Sequence, residues 1–152
     1  MSTAWIVIIA SDLDDYLVAA QMEAIRTAAL GTGQTDPFAR VMPDVAQRIR
    51  AEIEACATNS LSATANSIPP SLKRHACALI IEAMQPRILL PLTEDQQQAA
   101  KDAKDWLKRI AECEIKVETP PNPIESTFQQ AGHIEVVKAN DRIATRETMS
   151  GL

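Results

Sequence analysis

Leu72-Lys73-Arg74-His75-Ala76-Cys77-Ala78-Leu79-Ile80-Ile81-Glu82-Ala83-Met84 is the stretch that sets the fold. Its apolar residues, Leu72, Ala76, Cys77, Leu79, Ile80, Ile81, Ala83 and Met84, fall on nearly every face of a helix. A helix that is apolar all round is a central one, enclosed by others. Pro69 and Pro70 open it and Pro86 stops it, because proline is tolerated in a first helical turn but not in a helix interior.

Outward from that helix, each flank carries a one-sided stripe. On the C-terminal side Thr93 is placed to cap a helix, with Glu94 and Asp95 in its first turn. Ala99, Ala103, Trp106, Leu107 and Ile110 then share one face along roughly 30 Å of helix, which assigns Trp106 to the core. On the N-terminal side Val45, Ile49, Ile53 and Cys56 form the stripe of a helix that Pro43 is suited to begin, with Arg48, Arg50, Glu52 and Glu54 decorating the rest of it. Farther upstream Ser11 offers a cap with Asp12, Asp14 and Asp15 behind it. Leu13, Tyr16, Leu17, Ala20, Ala24, Ile25 and Ala28 recur at helical spacing up to a stop at Gly31, with a break near Gln21 as the alternative. Trp5-Ile6-Val7-Ile8-Ile9-Ala10 is short and β-branched, hence extended. Gly31–Pro37 and Thr58–Pro69 read as polar connections. The fold class expected is all-α: a small antiparallel bundle of about four helices, with a short N-terminal extended segment and an extended C-terminal arm.

The chain has 152 residues, which bounds it to one domain and an appendage. Residues 1–117 form the body, and a body of that size buries about two-thirds of its unfolded surface. Alanine and aliphatic residues supply its core, since there are only two Phe, two Trp and one Tyr. The net charge of −5 is spread over mixed signs with no basic stripe, which argues against direct nucleic-acid binding. Cys56, Cys77 and Cys113 are far apart, odd in number and set in apolar or helical runs. They read as reduced, buried small hydrophobes, because a disulfide framework needs an oxidising compartment that nothing in the sequence suggests. The run Trp5–Ala10 is too short to span a bilayer and lacks the basic flank of a signal peptide, so a cytosolic chain without a membrane partner is expected.

Helical pattern ends near Val117. Glu118-Thr119-Pro120-Pro121-Asn122-Pro123 forces extended or polyproline geometry, and residues 118–152 form an arm. Fully extended, the arm reaches roughly 120 Å, farther than the body itself. Within it Ile134-Glu135-Val136-Val137-Lys138 suits a short strand with no evident hairpin partner in the chain.

Candidate chemistry is sparse. Asp12, Asp14 and Asp15 lack the glycine and distal glutamate of a calcium loop, so helix N-terminal charge is the better reading. His75 and Cys77 stand two apart on a helix, where side chains diverge, and do not make a nucleophile pair. His133 has no second ligand nearby. Gly31-Thr32-Gly33 lacks the lysine and hydroxyl residue of a phosphate loop. Ser60, Ser62 and Ser67 lack the strand-to-helix turn of a nucleophile elbow. No catalytic residue, metal ligand or cofactor is expected, and an enzyme is the least favoured class.

The order of elements resembles the head–tail connector (adaptor, or head-completion) proteins of tailed bacteriophages, in particular the group of Mu-like phages. An extended run enters a helix through Ser11-Asp12-Leu13. A second helix carries Val45, Ile49, Glu52 and Ile53. Ile68-Pro69-Pro70-Ser71-Leu72-Lys73 opens the buried helix. Asp105-Trp106-Leu107-Lys108-Arg109-Ile110-Ala111-Glu112-Cys113-Glu114-Ile115 resembles the family's FLxxIAxGEI, with Cys113 where glycine is usual. Arg142-Ile143-Ala144-Thr145-Arg146-Glu147-Thr148-Met149-Ser150-Gly151-Leu152 resembles its closing RxFSRxxMxGF, with Ala144 in place of an aromatic and Leu152 in place of Phe.

The resemblance implies a structural virion protein, assembled in the host cytoplasm, that forms a homo-oligomeric ring (a dodecamer in the virion) at the head–tail interface. Its partners would be the portal protein and a tail-side stopper, terminator or tail-completion protein, with DNA only passing through the channel. The arm would dock on the portal through Phe128, Ile134, Val136, Val137, Arg142, Ile143, Arg146, Met149 and Leu152. Its apolar side chains would fill pockets and its arginines would meet acidic groups. An unstructured tail is the competing reading of those residues. A small helical regulatory or DNA-binding protein is the competing function; it requires a basic recognition helix and a tight turn, and neither is visible.

Overall fold

A computed structural model describes residues 2–29, 36–87 and 91–124. Among them the chain is mostly helical, with four α-helices and one two-stranded sheet. Strand β1 (Ile6–Val7) is followed by a 3-10 turn at Ala10–Leu13, then α1 (Ala19–Ala29) and α2 (Pro37–Ala55). Strand β2 (Ser67–Ile68) and a 3-10 turn at Pro70–Leu72 lead into α3 (Lys73–Met84), and a 3-10 turn at Gln85–Arg87 closes it before α4 (Glu94–Ala111).

The helix that is apolar on all sides is the centre of the molecule. Ala76, Cys77, Leu79, Ile80, Ile81 and Met84 of α3 are each no more than 3% exposed. Helix α3 packs on both α2 and α4, and those two pack on each other. From α2 come Val45, Ala46, Ile49 and Ile53; from α4 come Ala100, Ala103, Leu107 and Ile110. Removing a side chain such as Ile49, Ile53 or Ile110 from water contributes about 1.5–3 kcal/mol each. On α4 the buried spacing of three, four and three residues leaves position 106 beside the stripe. Trp106 is therefore 38% exposed, not a core residue as its spacing suggested.

Three boundaries differ from the sequence reading. Helix α2 starts at Pro37, six residues before Pro43. Asp36 caps it by accepting the Phe38 N–H at 2.9 Å, and Pro37 takes the first position. Pro43 lies inside the helix, where it leaves the Ala39 carbonyl without its usual donor. Ser11 does not cap a long helix. Ala10–Leu13 is a single 3-10 turn, closed by the Asp12 N–H on the Ile9 carbonyl and by the Ile9 N–H on Asp12 Oδ2, both at 2.9 Å. Leu13 and Leu17 are buried as their spacing requires, but α1 begins only at Ala19, so the break falls just before Gln21. The stop expected at Gly31 lies outside the described residues. The third difference is in the Thr58–Pro69 connection, which contains β2. It pairs antiparallel with β1 in the register Ile6↔Ile68 and Val7↔Ser67, after a left-handed Asn66 at φ 58°.

Thr93 caps α4 as expected. Its Oγ1 accepts the Gln96 N–H at 3.2 Å while Gln96 Oε1 accepts the Thr93 N–H at 3.1 Å, the reciprocal capping box. Gln96 also forms a paired amide contact with buried Gln21 at 2.8 and 2.9 Å and donates to the Tyr16 carbonyl at 3.1 Å. A polar clasp thus ties the start of α1 to the start of α4.

The cysteine reading is overturned in part. Cys56, at the end of α2, and Cys113, just past α4, are joined as a disulfide with Cα atoms 5.3 Å apart. Cys77 alone is free and buried. The pairing follows from how α4 ends. The Cys113 N–H bonds the Ile110 carbonyl at 3.0 Å and the Glu114 N–H bonds the Arg109 carbonyl at 2.9 Å, with Cys113 left-handed at φ 63°. This Schellman stop turns the chain back over the end of α2, where Cys56 waits.

Candidate partner-binding surface

All nine expected arm anchors, Phe128, Ile134, Val136, Val137, Arg142, Ile143, Arg146, Met149 and Leu152, lie outside the described residues. What the structure does place is the root from which they extend. Residues 118–124 are non-helical, as their prolines require, and run along the body. The Trp5 indole N–H donates to the Glu118 carbonyl at 2.9 Å, and the Thr3 N–H donates to the Thr119 carbonyl at 3.0 Å. Ser71 Oγ meets Glu118 Oε2 at 2.6 Å. Pro120 is fully buried. Beyond it the Ala63 N–H bonds the Asn122 carbonyl at 2.8 Å and the Ile124 N–H bonds the Leu61 carbonyl at 2.7 Å, an antiparallel bridge centred on Ser62 and Pro123. Three non-helical segments, the N-terminus, the α2–α3 connection and the arm root, are thereby stitched to one another at one place on the bundle.

Arg50 organises that place. Its guanidinium donates to the carbonyls of Ser62 at 2.7 Å, Ser67 at 3.0 Å and Thr64 at 3.2 Å, and lies 5.9 Å from the centre of the Trp5 ring. Burial pushes its pKa down from the usual arginine value, with Glu54 opposing that shift. Sequence reading treated Arg50 as helix decoration and missed this role.

Two further surface features stand out, and the first adjoins the root. Ala51, Glu54, Ala55, Asn59, Leu61 and Ile124 line a mostly apolar groove of about 570 Å³, and Ile124 is 46% exposed on it. On the face shared by α3 and α4, Trp106 stacks on His75 with ring centres 5.5 Å apart, and the Arg109 guanidinium sits 5.6 Å from the Trp106 ring. Arg109 Nε also meets Glu114 at 2.9 Å.

Of the titratable groups singled out from the sequence, Asp12, His75 and Cys77 have structural partners, and His133 lies outside the described residues. Asp12 is held below the ordinary carboxylate value, first by the Ile9 N–H and then by Lys73, whose Nζ is 2.6 Å from Oδ1. Asp14 and Asp15 sit on the turn after it. His75 points to Trp106, whereas the Cys77 Sγ donates to the Asp12 carbonyl at 3.6 Å, so the two do not meet. Burial, with Asp12 nearby, pushes the Cys77 thiol up to about 11, which disfavours a thiolate at neutral pH. Burial also lowers the His75 pKa, with Arg74 adding to it. Among the described residues no three His, Cys, Asp or Glu side chains are grouped so as to hold a metal ion, and no helix is long and apolar enough to cross a membrane.

Compared with protein-family models, curated proteins and solved structures, the chain matches none.

Proposed function

We propose that this chain is a structural connector of a tailed-phage virion, a ring subunit that joins the portal to the tail and docks its C-terminal arm on the portal. The observation that carries the reading is the arm root. A helical body fixes the exit of residues 118–124 through main-chain bonds to two other segments, which suits a subunit that must present an arm in one direction. Left-handed Cys113 adds support, because it stands where the resembling sequences carry glycine, the residue that backbone favours.

In this function the bodies meet head-to-tail, the contact type that closes rings. Arm residues order on the portal surface, and many copies in one ring raise the effective concentration of each weak contact. Arg142 and Arg146 pair with portal carboxylates, and Met149 and Leu152 fill pockets.

Size-exclusion chromatography with light scattering, run on the chain alone and with a portal protein, tests this. A ring or a portal complex is the expected result. A monomer that ignores the portal but retards DNA would sink the reading and favour the regulatory one.

A further inference from the structure

We propose that the Cys56–Cys113 bond is a thiol–disulfide exchange site, opened by a dithiol, and that opening it loosens the arm root from the body. The bond sits where the two segments that frame the root leave the bundle. From Cys56 the chain runs on to Leu61 and Ala63; from Cys113 it runs on to Asn122 and Ile124. Those stretches pair at the Ser62–Pro123 bridge, and the Val117 N–H meets Asn59 Oδ1 at 3.4 Å between the two ends. The disulfide thus closes one end of a two-stranded neck whose other end is the bridge. This latch belongs to the body and works the same way whatever the arm engages.

The two sulfurs are not equivalent. Cys56 is 1% exposed, whereas Cys113 lies on an exposed turn, so an outside thiolate meets the bond from the Cys113 side. Burial and the C-terminal end of α2 both disfavour charge on Cys56. The Thr58 hydroxyl counters them. It lies 3.1 Å from Cys56 Sγ and donates to it, because a disulfide sulfur carries no hydrogen. One thiolate of the dithiol attacks Cys113 Sγ and forms a mixed disulfide with it. The bond to Cys56 breaks, and the Cys56 sulfur leaves with the electron pair as a thiolate held by Thr58. The second sulfur of the dithiol, as a thiolate, then displaces Cys113 and closes the reductant's own disulfide. The protein gains two electrons and, on Cys56 and Cys113, the two protons that the dithiol gives up.

Reduction releases a turn that its own residue does not favour. Cys113 is left-handed at φ 63°, a backbone that disfavours any residue with a Cβ relative to glycine. Glu112-Cys113-Glu114-Ile115-Lys116-Val117 contains neither glycine nor proline. Within it Cys113 and Val117 continue the helical spacing of Ala103, Leu107 and Ile110. The competing state is therefore a longer α4, limited by Thr119 before Pro120. A helix advances about 1.5 Å per residue, against about 3.3 Å for extended chain. Lengthening α4 therefore draws Val117 away from Asn59 and pulls on the bridge. The disulfide opposes this by fixing Cys113 to the end of α2. Its loss shifts the balance toward an open neck, while α2 and α4 stay packed through Ile49, Ile53, Leu107 and Ile110.

Dithiothreitol added to the full chain tests the latch. Thiol trapping read by mass spectrometry should count one thiol before reduction and three after it. Reduction should proceed at a rate that low urea leaves unchanged, and Thr58→Val should slow it about ten-fold. Amide exchange followed by NMR should then be at least about ten-fold faster at Ala63, Val117 and Ile124 in the reduced chain, while Leu79, Ile80 and Ile81 stay the most protected in both states. Cys56→Ala/Cys113→Ala should reproduce the reduced pattern. Cys56→Ala/Cys113→Gly, where glycine accepts the left-handed turn, should exchange about five-fold slower than that at the same three amides. Neck amides indifferent to reduction, or reduction only in step with global unfolding, overturn the proposal. Equal exchange in the two double variants overturns it by removing the turn at 113 as the moving part. Reduction of Thr58→Val at the rate of the native chain overturns the assigned route.

Discussion

Arg50 shows how much one side chain on a helix surface can hold. Three main-chain carbonyls, at Ser62, Thr64 and Ser67, converge on its fork, and no carboxylate is hydrogen-bonded to it among the described residues. Hydrogen bonds to a charged group contribute about 1.5–3 kcal/mol each when the alternative is an unpaired buried carbonyl. A lysine keeps the charge but not the planar fork that reaches several acceptors at once. Arg50→Lys is therefore expected to lower stability by about 2 kcal/mol, seen as a fall of about 6 °C in the midpoint of a thermal melt followed by circular dichroism. Arg50→Ala should cost more, since it also uncovers the Trp5 ring. A melt unchanged by both would mean that water serves those carbonyls as well as the guanidinium does. None of this was legible in the sequence, because the acceptors are main-chain atoms 12 to 17 residues downstream and leave no side-chain signature. Asn59 was hidden for the same reason. Its side-chain oxygen accepts from a backbone N–H far along the chain.

Among the elements, the ends of α2 and α4 are held by the Cys56–Cys113 bond. With the two cysteines 57 positions apart in sequence, the chain-entropy model gives about 4 kcal/mol of stabilisation for the closed loop. In a reducing cytosol the pair would be held as thiols, so stability with and without reductant should differ by up to that amount. Cys113 carries a second burden. Its left-handed backbone costs a residue with a Cβ roughly 1–2 kcal/mol relative to glycine. Two double variants separate the contributions in urea unfolding. Cys56→Ala/Cys113→Ala should lose most of the disulfide's stabilisation, and Cys56→Ala/Cys113→Gly should recover about 1 kcal/mol of that loss. Equal midpoints for the two would show that the turn at 113 carries no strain. Element interiors were the legible part of the sequence: the all-round apolar α3, the stripe from Val45 to Ile53 and the Thr93 cap follow from period and capping chemistry alone. Starts and stops were less so. The sequence reading opened α2 at Pro43, whereas the helix opens at Pro37, where the preceding Asp36 has a side chain that caps it. The disulfide was invisible because cysteines at two helix ends have no spacing rule, and only the Schellman turn brings them together.

At the scale of the whole molecule, the body and the arm do not part where helical pattern ends. The sequence changes character at Glu118, and the backbone does change there from helix-derived turns to an extended strap. Yet residues 118–124 bury Pro120, satisfy the Trp5 indole and the Thr3 N–H, and pair with Leu61 and Ala63. The same prolines that forbid a helix favour the extended geometry that this pairing uses. Two truncations distinguish a strap that belongs to the fold from an arm that serves a partner. Removing residues 125–152 should leave the thermal midpoint within a few degrees of the intact chain. Removing residues 118–152 also strips the buried proline and leaves the Trp5 N–H and the edge of the α2–α3 connection unpaired. Those losses sum to several kcal/mol at about 1–3 kcal/mol per buried unpaired group, and should lower the midpoint well below that of the shorter deletion. If the proposed connector function holds, both truncations should fail to engage a portal protein; only the longer one should lose exchange protection at Thr3, Ala63 and the residues of β1 and β2. If the two deletions melt together, the strap lies on the body without stabilising it. The arm would then begin at Glu118 in energy as well as in sequence.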